Sequence, residues 1–411
     1  MKETIKLYDA HPYDTDFDAT VLGSQEGTVP GTAVVLLDAT LFFPEEGGQT
    51  PDRGFLAGFP VIDVQLSGDG TILHTLRISV PRAPSDADDA DTCTALATVL
   101  LPGSGVHGTI DWPHRFSNMQ NHSGEHILSG LLHNLWGYEN VGFRLSDNNV
   151  TLDTSGPLSD DDLITLENKA NAVVWRNVSI RCEYPSPAEL SALEYRSKKS
   201  IDGPVRIVTI DGVDVCACCA PHVRRTGEIG LIKILSAEKN RGATRLTFLC
   251  GGRALAKMQH YQAELQHSSR LMNEPVETVS SGVQKRLDEI RELRDLCHQK
   301  EQQYIQQLLS ALTAPSDDSQ DYYLFESGLS SLSQRELMNQ LCEMGWRYSG
   351  VFVRKNNDEW QYLIGSRTGD ARIPGNFLRE HFQAKGGGKP AMVQGTVCGC
   401  AEDIRNCLQC V

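Results

Sequence analysis

The sequence predicts an α+β protein built from several domains. A chain of 411 residues is long for a single hydrophobic core. Strand-like patterns dominate its beginning, and a long helical pattern separates a mixed segment from a second α/β segment. We expect four parts, namely a β-rich domain over 1–110, a mixed α+β core over 111–252, a helical segment over 253–313 and a small α/β domain over 321–411.

The first part contains short apolar runs, such as TAVVLLDATLFF and PVIDVQL, between turns rich in Gly, Pro and Asp. This alternation is typical of strands, and we expect no helix in this part. The stretch APSDADDADT at 83–92 predicts an acidic loop.

The second part mixes both periodicities. HSGEH at 122–126 continues into ILSGLLHNLW, whose leucines have the spacing of a buried helical stripe. VTLDTS predicts a strand, SDDDLITLENKANAVVWRN predicts a helix, and GEIGLIKILSAEKNRGATRLTFLCG predicts a hairpin.

In the third part, successive apolar residues are three, four or seven positions apart in the sequence, which is the pattern of a coiled-coil seam. These residues are Val283, Leu287, Ile290, Leu293, Cys297, Tyr304, Leu308 and Leu312. Pro275 should kink or split the helix, and the seam predicts a homodimer. The fourth part alternates strands such as YYLFES and WQYLIGS with helices.

Composition excludes several classes of protein. Because no run of about 18 apolar residues exists, no membrane span is expected. The beginning of the chain lacks the apolar segment of a secretion signal, which predicts a cytoplasmic protein. The 12 cysteines are then better interpreted as reduced thiols or metal ligands than as disulfides.

The net charge of −15 is unevenly distributed. Residues 1–110 contain five Lys or Arg against sixteen Asp or Glu. The rest of the chain is nearly balanced and contains basic clusters such as YRSKKS and KNRGATR. Local positive potential attracts polyanions even when the total charge is negative, so nucleic acid is not excluded as a partner.

Two pairs of ligand-type side chains predict a metal site. His122 and His126 are four residues apart and therefore share one helix face. Cys218 and His222 have the same spacing. One thiolate and three imidazoles suit Zn²⁺ and not Mg²⁺ or Ca²⁺. The plain alternative is a buried cysteine cluster with histidines at the surface.

HSGEH also matches the zinc-peptidase pattern H-x-x-E-H, with Glu125 as general base. That interpretation needs a further carboxylate ligand and leaves Cys218 and His222 without a role. It also places Gly124 inside a catalytic helix, at some cost in helix propensity.

HRFSNMQNHSGEHILSGLL and VCACCAPHVRRTGEIGLIKI together resemble the editing core of alanyl-tRNA synthetase and of its free-standing relatives, the AlaX proteins. That family pairs H-x-x-x-H with C-x-x-x-H. LDATLFFPEEGGQTPDRG resembles the glycine-rich segment of the family's N-terminal β-barrel, and AKGGGKPAMVQG resembles a motif of the C-terminal domain of long AlaX proteins. The resemblance covers essentially the whole chain.

The resemblance implies a zinc-dependent hydrolase that removes serine or glycine from mischarged tRNA(Ala), with one zinc held by His122, His126, Cys218 and His222. The family's usual C-G-G-T-H is CCAPH in this chain, so Cys216 could compete with Cys218 as the ligand. A zinc-stabilised RNA-binding module without hydrolytic activity is the alternative from another class.

Three further sets of residues each have two alternative roles within this interpretation. Ser123 either binds the hydroxyl of a serine substrate or caps the start of its helix. Gln49 either reaches the site from the barrel or belongs to an ordinary hairpin loop. Cys398, Cys400, Cys407 and Cys410 either bind a second zinc or pack in a terminal helix.

Four basic residues are candidates for contacts to tRNA. Arg241 and Arg245 lie in the predicted hairpin, and Lys385 and Lys389 flank three glycines that we expect to form a tight backbone turn. Such groups suit phosphate, although each of them can also be an ordinary surface residue.

Overall fold

The computed structural model describes residues 3–78, 99–197, 203–240, 242–317, 319–356 and 358–411. The chain divides into two compact units, residues 1–264 and 265–411. The finer division into four domains stays a prediction, and the acidic loop predicted at 83–92 lies outside the described residues.

Six antiparallel strands form a closed barrel at the beginning of the first unit. In barrel order they are β2 (Asp16–Glu26), β3 (Thr32–Leu37), β7 (Ile72–Arg77), β6 (Phe59–Leu66), β5 (Gly54–Leu56) and β8 (Gly105–Ile110). Alternate side chains, such as Val35 and Leu37, point into the barrel and are fully buried, as the period of two predicts.

Three short elements accompany the barrel. β1 (Ile5–Lys6) pairs in parallel with β4 (Ala39–Thr40), and α1 (Leu7–Ala10) follows β1. The expectation that the first part contains no helix was therefore wrong. A helix of four residues is too short to produce a recognisable periodicity.

The α+β core follows the barrel within the first unit. Its helices are α2 (Trp112–Trp136), α3 (Asp160–Arg176) and α4 (Pro187–Ala192). One sheet has the order β14 (Ile232–Asn240), β15 (Ala243–Cys250), β10 (Val150–Thr154), β9 (Asn140–Leu145). A second sheet has the order β11 (Ile180–Glu183), β12 (Ile207–Ile210), β13 (Asp214–Ala217). The predicted hairpin is β14 and β15.

Helix α2 begins ten residues before HSGEH. Asp111 caps its start by accepting a hydrogen bond from the backbone N–H of His114 at 3.2 Å, and Gly137 ends it in the left-handed conformation. Two glycines let α2 pack closely. A Cβ at Gly124 would lie 2.3 Å from Cys250 Sγ, and one at Gly130 would lie 2.3 Å from a backbone carbonyl oxygen.

The long helical pattern is divided as Pro275 predicts. Helix α5 (Gly251–Met272) ends before this proline, one 3-10 turn follows (Val276–Thr278), and α6 (Val279–Ser310) begins directly after it.

The second unit also contains a mixed α/β domain. Its five-stranded sheet has the order β16 (Tyr322–Glu326), β17 (Ser349–Arg354), β18 (Glu359–Gly365), β20 (Met392–Cys398), β19 (Lys385–Lys389). Its helices after α6 are α7 (Ser331–Glu343), α8 (Arg372–Phe382) and α9 (Ala401–Leu408). Among the described residues, no helix is both long and apolar enough to cross a bilayer.

The three glycines between Lys385 and Lys389 do not form the predicted tight turn. They form the middle of β19, an exposed edge strand. A Cβ at Gly386 would lie 2.3 Å from the carbonyl oxygen of Gln394, and one at Gly388 would lie 2.3 Å from that of Met392. The glycines therefore permit close pairing with β20 and do not supply a left-handed turn.

Candidate metal centre

The two predicted ligand pairs meet in one buried cluster. His122 and His126 occupy successive turns of α2, while Cys218 and His222 lie in the segment after β13. One donor atom from each of the four lies within 4.8 Å of all the others. The Sγ of Cys218 is 3.6 Å from the Nε2 of His122 and 3.4 Å from the Nε2 of His222. Tetrahedral zinc with ordinary bond lengths places a sulfur and a nitrogen ligand about 3.6 Å apart.

Each histidine of the cluster has a hydrogen-bond partner for its second ring nitrogen. The Nδ1 partners are Gln49 Oε1 for His122 at 2.9 Å, Asp214 Oδ2 for His126 at 2.8 Å and Ser123 Oγ for His222 at 3.1 Å. Such contacts hold the proton on Nδ1 and direct Nε2 toward a metal. The donor set and its partners therefore fit zinc.

The electrostatics of the cluster also suit metal binding. Although burial works to raise it, the His122 and His222 rings hold the pKa of the Cys218 thiol well below its ordinary value. Burial lowers the pKa of His222 to about 3, which keeps its imidazole neutral. The hydrogen bond to Asp214 raises the pKa of His126 against the effect of burial, so a metal that binds this ring must displace the proton on its Nε2. A thiolate and neutral imidazoles are the forms that bind metals.

The neighbouring cysteines differ from Cys218 in their surroundings. Burial raises the pKa of Cys216 to about 11, and its Sγ donates to the carbonyl of Ala217 at 3.6 Å. Cys216 does form a three-member group with His126 and Asp214 whose donor atoms also lie within 4.8 Å of one another. The four-member cluster, however, contains Cys218. Burial also raises the pKa of the Cys219 thiol, and the negative charges of Cys218 and Glu46 raise it further.

Ser123 lies in the fourth turn of α2, so it cannot cap the start of that helix. Its Oγ contacts His222 and accepts a hydrogen bond from the backbone N–H of Val223 at 3.3 Å, and its side chain is fully buried.

Glu125 points to partners other than the cluster. Its carboxylate accepts hydrogen bonds from the hydroxyl of Ser129 at 2.5 Å and from the side-chain amide of Asn140. This arrangement weighs against a peptidase in which Glu125 is the general base.

The barrel reaches the cluster through the segment EEGGQT at 45–50. Gly47 and Gly48 have φ values of +62° and +82°, which favour glycine, and both are exposed. The backbone of Gly48 accepts a hydrogen bond from Leu145 at 2.6 Å, and a Cβ at Gly48 would lie 2.4 Å from the carbonyl oxygen of Phe143. This close pairing with β9 places Gln49 against His122.

The candidate tRNA contacts are not part of the cluster. Arg241 lies outside the described residues. The guanidinium of Arg245 is bound by both carboxylate oxygens of Asp153, at 2.6 and 2.7 Å. Lys385 and Lys389 lie at the two ends of the exposed strand β19.

Sequence reasoning missed Asp214 and Arg196. Asp214 is buried and binds the His126 ring, and Arg196 holds the same carboxylate through two hydrogen bonds of 2.8 and 3.0 Å. One signal was available, because a metal-binding histidine usually donates to a carboxylate and Asp214 stands four residues before Cys218. The role of Arg196 has no local signal in the sequence.

Comparisons with known proteins agree with these motifs. Residues 205–247 match the family described as "Threonyl and Alanyl tRNA synthetase second additional domain". The chain is 30% identical to Alanyl-tRNA editing protein Aarsd1-B of Xenopus laevis over 383 residues, which cover 91% of this chain and 86% of that protein. It is 30% identical to Alanyl-tRNA editing protein AlaX-L of Pyrococcus horikoshii over 305 residues, or 70% of each chain.

A longer relative is similar over part of its length. The chain is 31% identical to an alanine–tRNA ligase of Methanothrix thermoacetophila over 316 residues, which cover 74% of this chain and 32% of the ligase. The similarity therefore spans most of two editing proteins but only about a third of this ligase.

Proposed function

This chain belongs to the family of alanyl-tRNA editing proteins, and from that premise we propose that it hydrolyses the ester between tRNA(Ala) and a wrongly attached serine or glycine. The observation that carries the proposal is the buried cluster of His122, His126, Cys218 and His222, in which every histidine has its second nitrogen engaged. A cytoplasmic location and the division into four domains remain predictions.

We propose Zn²⁺ as the metal of this cluster, one ion per chain. When bound, zinc would polarise a water molecule or a carbonyl oxygen of the ester. The residues around it orient its ligands. Asp214 holds the proton of His126 on Nδ1, and Ser123 does the same for His222. Because the Ser123 Oγ is buried and already engaged, we favour a positioning role for Ser123 over direct contact with a serine substrate.

Gln49 is the residue of the barrel that we place beside the substrate. Its Oε1 accepts from His122, and its Nε2 is buried without a hydrogen-bond partner among the described residues. An amide donor in this position can meet an oxygen at the aminoacylated end of the tRNA.

The choice of serine and glycine has a physical reason. A binding pocket for alanine cannot strongly exclude a smaller amino acid or one that only adds a hydroxyl group. A separate hydrolytic site is therefore needed to remove these errors after aminoacylation.

The deciding experiment measures hydrolysis of tRNA(Ala) charged with serine, glycine or alanine. We expect turnover of the serine or glycine ester and little turnover of the alanine ester. Binding of all three without turnover would instead favour an RNA-binding module. Elemental analysis should find one zinc per chain, which Cys218→Ala should lose and Cys216→Ala should retain. The reverse result would mean that Cys216 is the ligand.

The C-terminal domain is the part that we propose to bind the body of tRNA. Lys385 and Lys389 are exposed, and the strand between them borders a cavity of about 240 Å³ that is also lined by Tyr362, Arg372 and Arg379. Replacing both lysines by alanine should weaken tRNA binding and flatten its salt dependence. Each lost phosphate contact should reduce the slope by about 0.7–0.9 log units per log unit of salt. An unchanged slope would contradict this role.

Helix α6 carries the apolar surface that we propose for dimerisation. Its exposed apolar side chains are Val283, Leu287, Ile290, Leu293, Leu296 and Tyr304. Val283, Leu287 and Ile290 keep the spacing of a coiled-coil seam, and a second copy of the same helix would cover this surface. Leu308 and Leu312 of the predicted seam instead pack against a hydrophobic cluster of the chain's own second unit.

A further inference from the structure

Buried polar atoms without hydrogen-bond partners lie on the barrel side of the metal cluster. Among the described residues, these atoms include the Oε2 of Glu46, the hydroxyl of Tyr8 and the Nε2 of Gln49. Buried polar groups are nearly always hydrogen-bonded in folded proteins. Several unpaired atoms beside one candidate site therefore indicate a position that a polar ligand completes.

Glu46 lies directly beside the cluster. It precedes Gly47, and a Cβ built on Gly47 would lie 3.6 Å from the Sγ of Cys219 and 3.9 Å from the Cε1 of His122. The backbone N–H of Gln49 donates to the carbonyl oxygen of Glu46 at 3.0 Å, so Glu46 and Gln49 are the two ends of one tight turn. Because Gly47 and Gly48 are exposed, a ligand can approach from this side.

The negative charge of Glu46 has no cationic partner among the ion pairs of the described residues. The nearby guanidinium of Arg206 is committed elsewhere, because it donates to the backbone carbonyls of Cys218 and Ala220 at 3.0 and 2.8 Å. It also lies 3.7 Å from the carboxylate of Asp9. The carboxylate of Glu46 therefore remains available to a positively charged group.

Gln49 supplies the complementary donor. If His122 binds a metal through Nε2, its Nδ1–H must donate to the Gln49 Oε1, and the side-chain NH₂ then has no acceptor. One side of the site thus offers a carboxylate and the other an amide N–H. An aminoacyl ester carries an α-ammonium group and a carbonyl oxygen on adjacent carbon atoms.

We infer that Glu46 binds the α-ammonium group of the aminoacyl ester, while the amide of Gln49 donates to its carbonyl oxygen. The inference rests on the proposed deacylase function and specifies how the amino-acid part of the substrate is held. The α-ammonium supplies the N–H donors that the Glu46 carboxylate lacks, and it neutralises that carboxylate. The subsite requires a free amino group and does not depend on the side chain of the amino acid.

The experiment compares Glu46→Gln with the wild type on two substrates. One is seryl-tRNA(Ala), and the other is the same ester after nitrous acid has replaced its α-amino group by a hydroxyl. Loss of a buried charge-assisted hydrogen bond should lower kcat/KM on seryl-tRNA about ten- to a hundredfold. The deaminated ester should be hydrolysed equally well by both proteins, because it has no ammonium group for Glu46 to bind.

Glu45→Gln is the matched control. Glu45 is the adjacent residue, but it is exposed and accepts a hydrogen bond from Gln65 at 3.0 Å on the barrel surface. This variant should hydrolyse both esters at the wild-type rate. Zinc content and Tm should be unchanged in both variants.

A binding measurement provides a readout that does not require turnover. The probe is adenosine with serine attached at the 3′ position through an amide, compared with the analogue in which a hydroxyl replaces the α-amino group. Glu46→Gln should raise the Kd of the first about ten- to a hundredfold and leave that of the second unchanged.

Two results would overturn the inference. The first is an equal loss on both esters, which would mean that Glu46 acts on the structure or on the water and not on the ammonium group. The second is no loss on either ester. Failure of the proposed function is distinguishable from both, because wild-type protein would then leave seryl-tRNA intact.

Discussion

Replacing Asp214 by asparagine should weaken zinc binding while leaving the fold intact. The Asp214 carboxylate accepts a hydrogen bond from His126 at 2.8 Å, and its side chain is only 1% exposed. Asparagine has nearly the same shape and can still present an oxygen to the ring. The negative charge that makes His126 a more basic ligand is lost, however, and so is the ion pair with Arg196.

The magnitude follows from the contact that is changed. A hydrogen bond to a charged group contributes about 1.5–3 kcal/mol, and carboxylate partners of metal-binding histidines typically change metal affinity about 10- to 100-fold. We expect Asp214→Asn at the lower end of that range, because its oxygen still accepts from Nδ1. Asp214→Ala should lie at the upper end, because it removes the acceptor altogether.

The assay is competition for zinc between the protein and a coloured chelator at fixed pH. Asp211→Asn is the control, since Asp211 belongs to the same hairpin but forms an exposed ion pair with Arg181 at 2.6 Å. Its zinc affinity should equal that of the wild type. A wild-type zinc affinity in Asp214→Asn would refute the argument that this carboxylate tunes His126.

Three further predictions concern stability and assembly. Burial lowers the pKa of His74 to about 4, so the stability present above its unfolded value of about 6.5 should be lost as the pH falls toward 4, by at most about 3 kcal/mol. His74→Gln should flatten this dependence of Tm on pH. Equal slopes of Tm against pH in the variant and in the wild type would contradict this prediction. Gly130→Ala should destabilise by about 1–3 kcal/mol through its clash with backbone, whereas Gly252→Ala, with open space around it, should not. Leu287→Glu with Leu293→Glu should convert a dimer to a monomer in light scattering, and a monomeric wild type would end that proposal.

Local patterns predicted most of the individual elements. The hairpin of β14 and β15, the helix α3 and the break at Pro275 are confirmed because each depends on short-range periodicity or on a single residue with strong conformational preferences. The start of α2 at Trp112 was not predicted, although Asp111 and Pro113 are ordinary signals for a helix N-terminus.

Features that depend on how closely backbones and side chains pack were harder to predict. Lys385–Lys389 forms an edge strand because Gly386 and Gly388 allow the backbone of β20 to come close, and glycine-rich sequence alone favours a turn. Similarly, Asp214 contacts His126, and Arg196 contacts Asp214, only through tertiary contacts. Spacing within one segment identified the ligand pairs, but it could not identify the side chains that orient them.

Two side chains on opposite sides of the predicted domain boundary at residue 110 form an ion pair. Asp52, in the barrel segment that carries Gln49, forms a fully buried ion pair with Arg115 of α2. The same carboxylate accepts a hydrogen bond from the backbone N–H of Phe43 at 2.6 Å. Arg115 precedes His122 by two turns of one rigid helix.

This ion pair fixes the barrel segment against the helix that presents the ligands. Removing one partner of a buried pair leaves an uncompensated charge, which typically costs about 3–5 kcal/mol. The pair therefore ties the position of Gln49 to that of His122 more firmly than their single hydrogen bond of 2.9 Å could. The barrel therefore contributes to the candidate metal centre, because its Gln49 contacts the predicted ligand His122, and it also carries Glu46, which we propose to bind the substrate.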